Sequence, residues 1–477
     1  METTLASPHA WAEAEFGGAS LGDVRRGRRL VRMAAGLAER PSGTLPTAFD
    51  QRSELKAAYR FLACPDISGA AIIQPHMERT RTACRQPGEY LLIEDTTILD
   101  FSSLKATGGL GRIGNDGGRG LYLHTDLAAR VEGWNDQGPP RLTLMGIFGQ
   151  QHWARQGTSR RKMGETDAQR LRHSRESERW ARVFHATGSP PDGCRWIYVA
   201  DRESDIYEVF DVCGKQSVDY VVRAQHSRAL EGEDRALFDV VGRQPVLGKF
   251  QMELRARSTS PARTVTLVVR AMRVNIRGPW RPGGRVAELP LNVVDVRAID
   301  QNPQDPPIHW VLLTSLPTDG FAAVVKIIRI YAARWLVEEY HKALKTGVRI
   351  EQSQLSQAHR IEALLAVLTV VAARLLDLKL LAATKADTPI VPGEVDPDAV
   401  RVLEALAGKP ASGWTYGALL VATARLGGFL ARKGDGNPGW LTIWRGWRRL
   451  MDMVAGYSLA VNRGPVSPGE LNSPASD

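Results

Sequence analysis

Residues 194–210, CRWIYVADRESDIYEVF, open with an apolar run of strand length, rich in aromatic and β-branched residues, that breaks at Asp201 and gives way to a helix-compatible stretch from Asp205. Residues 89–101, EYLLIEDTTILDF, repeat the design and break at Glu94 and Asp95. Both read as buried strands that deliver a carboxylate at or near a strand end. Taken singly, either aspartate is also what a turn or a helix N-cap uses. The surrounding order is informative. Three strand-like runs (90–101, 121–132 and 141–153) joined by Gly-rich or Pro-containing loops come first. A helical pattern around ESERWARVF (176–184), the strand ending at Asp201, a helix from Asp205 and the strand YVVRA (220–224) follow. A long tract of period-two alternation then runs to about residue 308. Hairpin strands followed by alternating helix and strand predict an α/β core, with a β-rich tract inserted before the next helix.

That next helix reads RIYAARWLVEEYHKALKTG (329–347), with Tyr331, Arg334, Glu338 and Lys345 at offsets of three, seven and fourteen. At about 100° per residue they fall within an arc of roughly 60°. Glu339 points about 100° away and reads as a solvated charge. Such a face admits two readings: salt-bridge decoration of an exposed helix, or an acid flanked by cations that suits a phosphate-and-metal surface. The two strand-borne aspartates weigh toward the second. Asp95, Asp201 and Glu338 in a basic chain are hard oxygen ligands of the kind that hold two Mg²⁺ ions about 3.5–4 Å apart against a phosphodiester.

The bulk properties agree. The 477 residues are enough for about three domains, and 43% apolar composition can bury a core in each. Lys plus Arg outnumber Asp plus Glu by 62 to 52, a formal +10 that favours a polyanionic partner. Cys64, Cys84, Cys194 and Cys213 form no CxxC pair, which argues against a zinc site or a disulfide framework and fits a reducing cytoplasm. The start, METTLASPHAWAEAEFGG, lacks the basic-then-apolar order of a signal peptide. The most apolar stretch, residues 363–382, is interrupted by Arg374, Asp377 and Lys379 and reads as a buried helix.

Outside the core, Arg25, Arg28, Arg29 and Arg32 follow the i, i+3, i+4, i+7 rule and form one basic helical face, suited to a phosphate backbone or, more plainly, to solvent. Residues 109–114, GLGRIG, match a dinucleotide fingerprint literally, but the following NDGGRG cannot sustain the helix that such a site requires. The segment reads as a mobile loop. Trp440, Trp444 and Trp447 share a helical face and read as core. The tail from residue 463 is expected to be disordered.

The DRESDI at 201–206, the EDTT at 94–97 and the Y-(2)-R-(3)-E-(6)-K spacing resemble the DDE transposases of the "IS four" insertion-sequence class, the group of the Tn-five transposase. LGDVRRGRRL (21–30), AAYRFL (57–62), HWVLLTS (309–315), ARLGGF (424–429) and WRGW (444–447) extend the likeness over nearly the whole chain. The resemblance implies an RNase H-like catalytic domain at 66–370 with a β insertion at about 225–308. It places an α-helical DNA-binding domain at 1–65, an α-helical dimerisation domain at 371–462 and a tail at 463–477. It implies that Asp95, Asp201 and Glu338 are catalytic and hold two Mg²⁺ ions, with Mn²⁺ as a substitute. It also implies that Tyr331, Arg334, Lys345 and Arg223 contact DNA, and that Trp310 stacks on an extruded base. The activity implied is cut-and-paste transposition by a DNA-bound homodimer in the bacterial cytoplasm, acting on transposon ends and target DNA through a hairpin intermediate. A catalytically silent DNA-binding descendant and a nuclease without strand transfer are the alternatives.

Overall fold

The computed structural model describes residues 4–41, 43–114, 117–155, 188–254, 263–281, 283–300, 307–391, 393–432 and 435–463. Helices α1 (Pro8–Phe16), α2 (Val24–Glu39), α3 (Leu45–Ala48), α4 (Arg52–Leu62) and α5 (Gly69–Ala83) precede the first strand. Strands β1 (Gly88–Asp100), β2 (Gly111–Ile113), β3 (Gly118–Gly133), β4 (Arg141–Trp153) and β5 (Cys194–Ala200) lead to α6 (Tyr207–Lys215), β6 (Asp219–Arg223) and α7 (Leu237–Gly242). Next come β7 (Gly248–Leu254), β8 (Arg263–Ile276), β9 (Trp280–Arg281), β10 (Gly284–Arg285), β11 (Leu289–Ala298) and β12 (His309–Thr314). Helices α8 (Phe321–Ala332), α9 (Trp335–Lys342), α10 (Ala358–Thr384), α11 (Pro397–Ala407), α12 (Tyr416–Leu426) and α13 (Trp440–Arg463) follow. The chain forms two compact units, one of Met77–Lys105 and Gly109–His341, the other of Met1–His76, Ala106–Gly108 and Lys342–Asp477. The expected helix at 176–184 and the tail at 464–477 lie outside the described residues.

The first unit is α/β, built on one mixed sheet of order β2-β3-β1-β5-β6-β12-β11-β8-β7, with β4 paired to β3. β1, β3 and β4 are antiparallel neighbours. β1, β5 and β6 run parallel, and β12, β11, β8 and β7 continue the sheet antiparallel. The β-rich tract is thus joined edge-on to the core through β12 and adds strands to the same sheet. Strand alternation sorts the apolar residues by face. Tyr90, Leu92, Trp196, Tyr198, Tyr220 and Val222 pack with α6 residues Val209 and Phe210 on one side. Leu91, Ile93, Ile197 and Val199, fully buried, belong to the other side, where α8 packs on β5 and β6.

One expectation is corrected here. GLGRIG is a loop only at its ends: Gly111–Ile113 form β2, paired to Gly118–Gly120 of β3, and Ile113 packs with Tyr122 and Trp153. Gly114 and Gly117 both stand at positive φ, which glycine adopts without strain.

The second unit is helical around α10, the expected buried helix, and no helix among the described residues is long and apolar enough to cross a membrane. Arg374 of α10 is buried, donating to the Thr4 and Ala6 carbonyls at 2.8 and 2.7 Å. Its guanidinium also lies over the rings of Trp11 and Trp447. Burial pulls its pKa down to about 9, and the two carbonyls and two ring faces replace the water it has lost. Trp444 and Trp447 are buried, as their spacing predicts. Helices α12 and α13 cross so closely that a Cβ on Gly446 would stand 1.7 Å from the Thr423 carbonyl oxygen, and one on Gly427 would stand 1.9 Å from that of Thr442. Gly446→Ala should therefore destabilise the protein by about 1–3 kcal/mol through overpacking, although alanine is the better helix former. Thermal unfolding of the variant measures this, and a raised melting temperature would mean that the crossing is looser than described.

Candidate active site and nucleic-acid interface

The parallel register of β1 and β5 pairs Leu91 with Ile197 and Ile93 with Val199. Two residues on, at the same pleat, stand Asp95 and Asp201. β1 continues to Asp100 along β3, whereas β5 ends at Ala200, so Asp95 lies beside an open strand edge and not at the end of its own strand. The helix stripe arrives in three pieces rather than one. α8 stops at Ala332, α9 starts at Trp335, and Ala343–Gly347 form a π-helical turn that carries Lys345. Between the first two pieces the Arg334 N–H donates to the Tyr331 carbonyl and the Val337 N–H to that of Arg334. Such i to i+3 bonds eclipse residues three apart, and that brings Tyr331 and Arg334 to the same carboxylate.

The Arg334 guanidinium lies among all three acids. Nη1 is 3.4 Å from Asp95 Oδ2, and Nη2 pairs with Glu338 Oε1 and stands 3.9 Å from Asp201 Oδ2. The Tyr331 hydroxyl donates to Asp201 at 3.3 Å, and Arg223 Nη1 is 3.9 Å from the same carboxylate. Trp310 packs edge-on against Tyr331, with ring centroids 5.1 Å apart, and is half-buried. Burial pushes the Asp95 carboxyl up to about 6 against the pull of Arg334. It pushes Tyr331 up to about 12, with the Asp201 charge adding to the effect. For Arg334 burial works downward, but Tyr331 and the three acids outweigh it and raise the guanidinium further. Among the described residues no three His, Cys, Asp or Glu side chains are grouped so as to hold a metal ion; Arg334 stands among the three acids. Lys345, in the helical unit, is 3.8 Å from Glu351.

Several supporting residues carry no signal that sequence spacing could expose. Asp205, the second aspartate of DRESDI, has a fully buried side chain that accepts from the Gln225 and His226 N–H groups at 2.7 and 3.0 Å and from Arg228. It ties down the loop that follows Arg223. On the opposite face of β1 from Asp95, Glu94 pairs with His124, whose Nδ1 is 2.9 Å from the Thr96 hydroxyl. His124 thereby grips both neighbours of Asp95 from behind. Asp126 is buried beside this pair, with neither carboxylate oxygen hydrogen-bonded among the described residues.

The helical unit carries a basic surface. Arg28 and Arg32 are exposed along α2, whereas Arg25 pairs with Asp23 and Arg29 with Glu54. The more continuous face is on α4, where Arg52, Ser53, Lys56, Tyr59 and Arg60 are all exposed. At about 100° per residue they span an arc of roughly 120°. The one acid of α4, Glu54, is turned toward Arg29, so the outward face is purely basic and polar around one tyrosine.

Residues 8–67 match the family described as Transposase DNA-binding, which places both basic helices within the matched stretch. The chain is similar over 98% of its length to 74% of a chain in the cryo-EM structure of the piggyBac transposase synaptic complex with hairpin DNA, at 10% identity and a TM-score of 0.33.

Burial, the Glu94 charge and, in opposition, His124 and Arg81 set the Asp126 carboxyl, which is pushed from its usual 3.8 up to about 8. A carboxyl raised in the folded state binds its proton there more tightly than in the unfolded chain, so stability declines as pH rises across that window. Asp126→Asn should flatten the dependence of melting temperature on pH between about 4 and 8 and be the more stable form at pH 9. Parallel pH profiles for the two proteins would refute the burial of an unpaired acid.

Proposed function

We propose that the protein is a cut-and-paste DNA transposase of the DDE type, of the "IS four" class, acting on an RNase H-like core. The observation that carries this reading is the convergence of Asp95, Asp201 and Glu338 on one guanidinium. Three sets of hard oxygen donors surround that guanidinium, and their donor chemistry is of the kind a divalent cation takes. Strands β4, β3, β1, β5 and β6, antiparallel and then parallel, support the RNase H-like reading. The stretch similar to transposase DNA-binding domains supplies the polyanion surface.

In this reading Asp95, Asp201 and Glu338 would hold Mg²⁺ or Mn²⁺, two ions per site, which would supply Lewis acidity for in-line displacement at phosphorus. The chain's own groups orient the substrate. Arg334 and Arg223 offer planar forks that match phosphate oxygens; Lys345, on the helical unit, is a separate candidate for a DNA contact. Trp310, half-buried on Tyr331, presents a ring for an extruded base, a contact worth ~1–3 kcal/mol and suited to the tight strand turn of a hairpin intermediate. Each step from end cleavage to joining of the 3′-OH to target DNA is a displacement at phosphorus, so one set of acids serves them all. The face of α4 enters a DNA groove while Arg28 and Arg32 hold phosphates. Residues 371–462 pair two copies across the synapsed ends.

Asp201→Asn should abolish cleavage and strand joining in Mg²⁺ while leaving end binding intact, since the carboxylate serves the cation and not the DNA. Assays that resolve nicked, hairpin and joined products check this, and near-normal nicking by the variant would defeat the proposal. Replacing both Arg52 and Lys56 by Ala should weaken duplex binding and reduce the slope of log affinity against log salt by about 0.9 for each phosphate that is no longer neutralised. An unchanged slope in a salt titration would return α4 to an ordinary solvated helix.

A further inference from the structure

Arg334 occupies the space among the three acids. Its side chain is only 16% exposed, and its two terminal nitrogens are shared among Asp95, Asp201 and Glu338. A divalent ion and a guanidinium cannot use the same oxygens at once, because both are cations and would stand within contact distance of each other. The hold is uneven. Glu338, one helical turn away on the same segment, makes the close contact, while the contacts to Asp95 and Asp201 are long, at 3.4 and 3.9 Å. A guanidinium held across the strands by two loose contacts can be drawn off when another anion of matching shape arrives. A phosphodiester is such an anion, with two oxygens set for the planar fork.

Resting on the reading of these acids as the cation site, we propose that Arg334 is an internal counter-ion that closes the site in the DNA-free protein, and that a DNA phosphodiester pulls it away and opens the acids to divalent ions. Cation and DNA binding are then linked, each strengthening the other by the same factor. The free protein spares itself indiscriminate hydrolysis, because the space among its acids is already taken by the guanidinium. Arg223, 3.9 Å from Asp201, lessens the residual negative charge but touches only one of the three acids.

The test is Mn²⁺ binding to the full chain, read by electron paramagnetic resonance of the free ion, with no activity measured. The DNA-free wild type should bind Mn²⁺ weakly, and Arg334→Gln should bind it at least about tenfold more tightly. Saturation with a mixed-sequence duplex should tighten Mn²⁺ binding to the wild type by about 5–150-fold, the usual range of coupling between sites, and should leave Arg334→Gln unchanged. Arg334→Lys, whose ammonium reaches one carboxylate at a time, should fall between the two and guards against a folding defect in the glutamine variant. Unchanged or weaker Mn²⁺ binding by both variants without DNA would overturn the gate. So would equal tightening by DNA in wild type and Arg334→Gln. Asp201→Asn separates the levels: if it keeps wild-type Mn²⁺ affinity in the presence of DNA, the acids are not the cation site and the underlying reading fails with the gate. If it loses that affinity while Arg334→Gln gains none, only the gate fails.

Discussion

The parallel pairing of β1 with β5 sets the geometry of the whole site. Because side chains alternate strictly across a strand, the register Ile93 with Val199 forces Asp95 and Asp201 onto one face and one level. A slip of a single residue would turn one of them into the apolar face that holds Tyr90, Trp196 and Phe210. The buried residues on both sides of these strands guard against that slip, since any shift would expose aromatic surface and bury a carboxylate. Chemistry and packing are therefore secured by the same pairing.

Charge is the second organising term. Asp95, Asp201 and Glu338 repel one another, and a buried acid without a partner is costly. Arg334 offsets that cost from the helical segment, and the tightened backbone at 331–337 brings Tyr331 to bear on Asp201 as well. Behind the strand, Glu94 and His124 form a buried pair in the core. A fully desolvated pair contributes little net stability but tolerates few alternative geometries, and here it grips the residues on either side of Asp95. The two polar layers, one around Arg334 and one sealed behind it, share a single strand.

The helical unit solves a different problem with a related device. Its N-terminal segment has few apolar residues before Trp11, yet it is held to α10 because Arg374 takes the Thr4 and Ala6 carbonyls and lies over Trp11 and Trp447. One buried cation thus joins residues 4–11 and Trp447 of α13 to the most apolar helix. The helices of the stretch similar to transposase DNA-binding domains can then place their charged side chains on the outside. Glu54 turns inward to Arg29, which leaves α4 with an outward face free of acids.

The features legible from the residues alone are local: the alternation and run length that mark β1 and β5, the acids that interrupt them, the apolar continuity of α10, and the basic surplus. Each depends on neighbours a few residues apart, so periodicity reports it. Which of those features meet is settled only in three dimensions. The β tract looks separate in sequence yet joins the main sheet, because hydrogen bonding along a strand edge leaves no trace in side-chain periodicity. The Y-R-E-K stripe, drawn as one ideal helix, becomes two helices and a π turn, and the i to i+3 hydrogen bonds at 331–337 that bring Tyr331 to Asp201 leave no mark in side-chain spacing. Asp205 reads as no more than the start of a helix until the loop at 225–228 folds onto it. The outward face of α4 is told from its buried side only by the inward packing of Ala58, Phe61 and Leu62, because a charged helix shows its orientation only through what covers it.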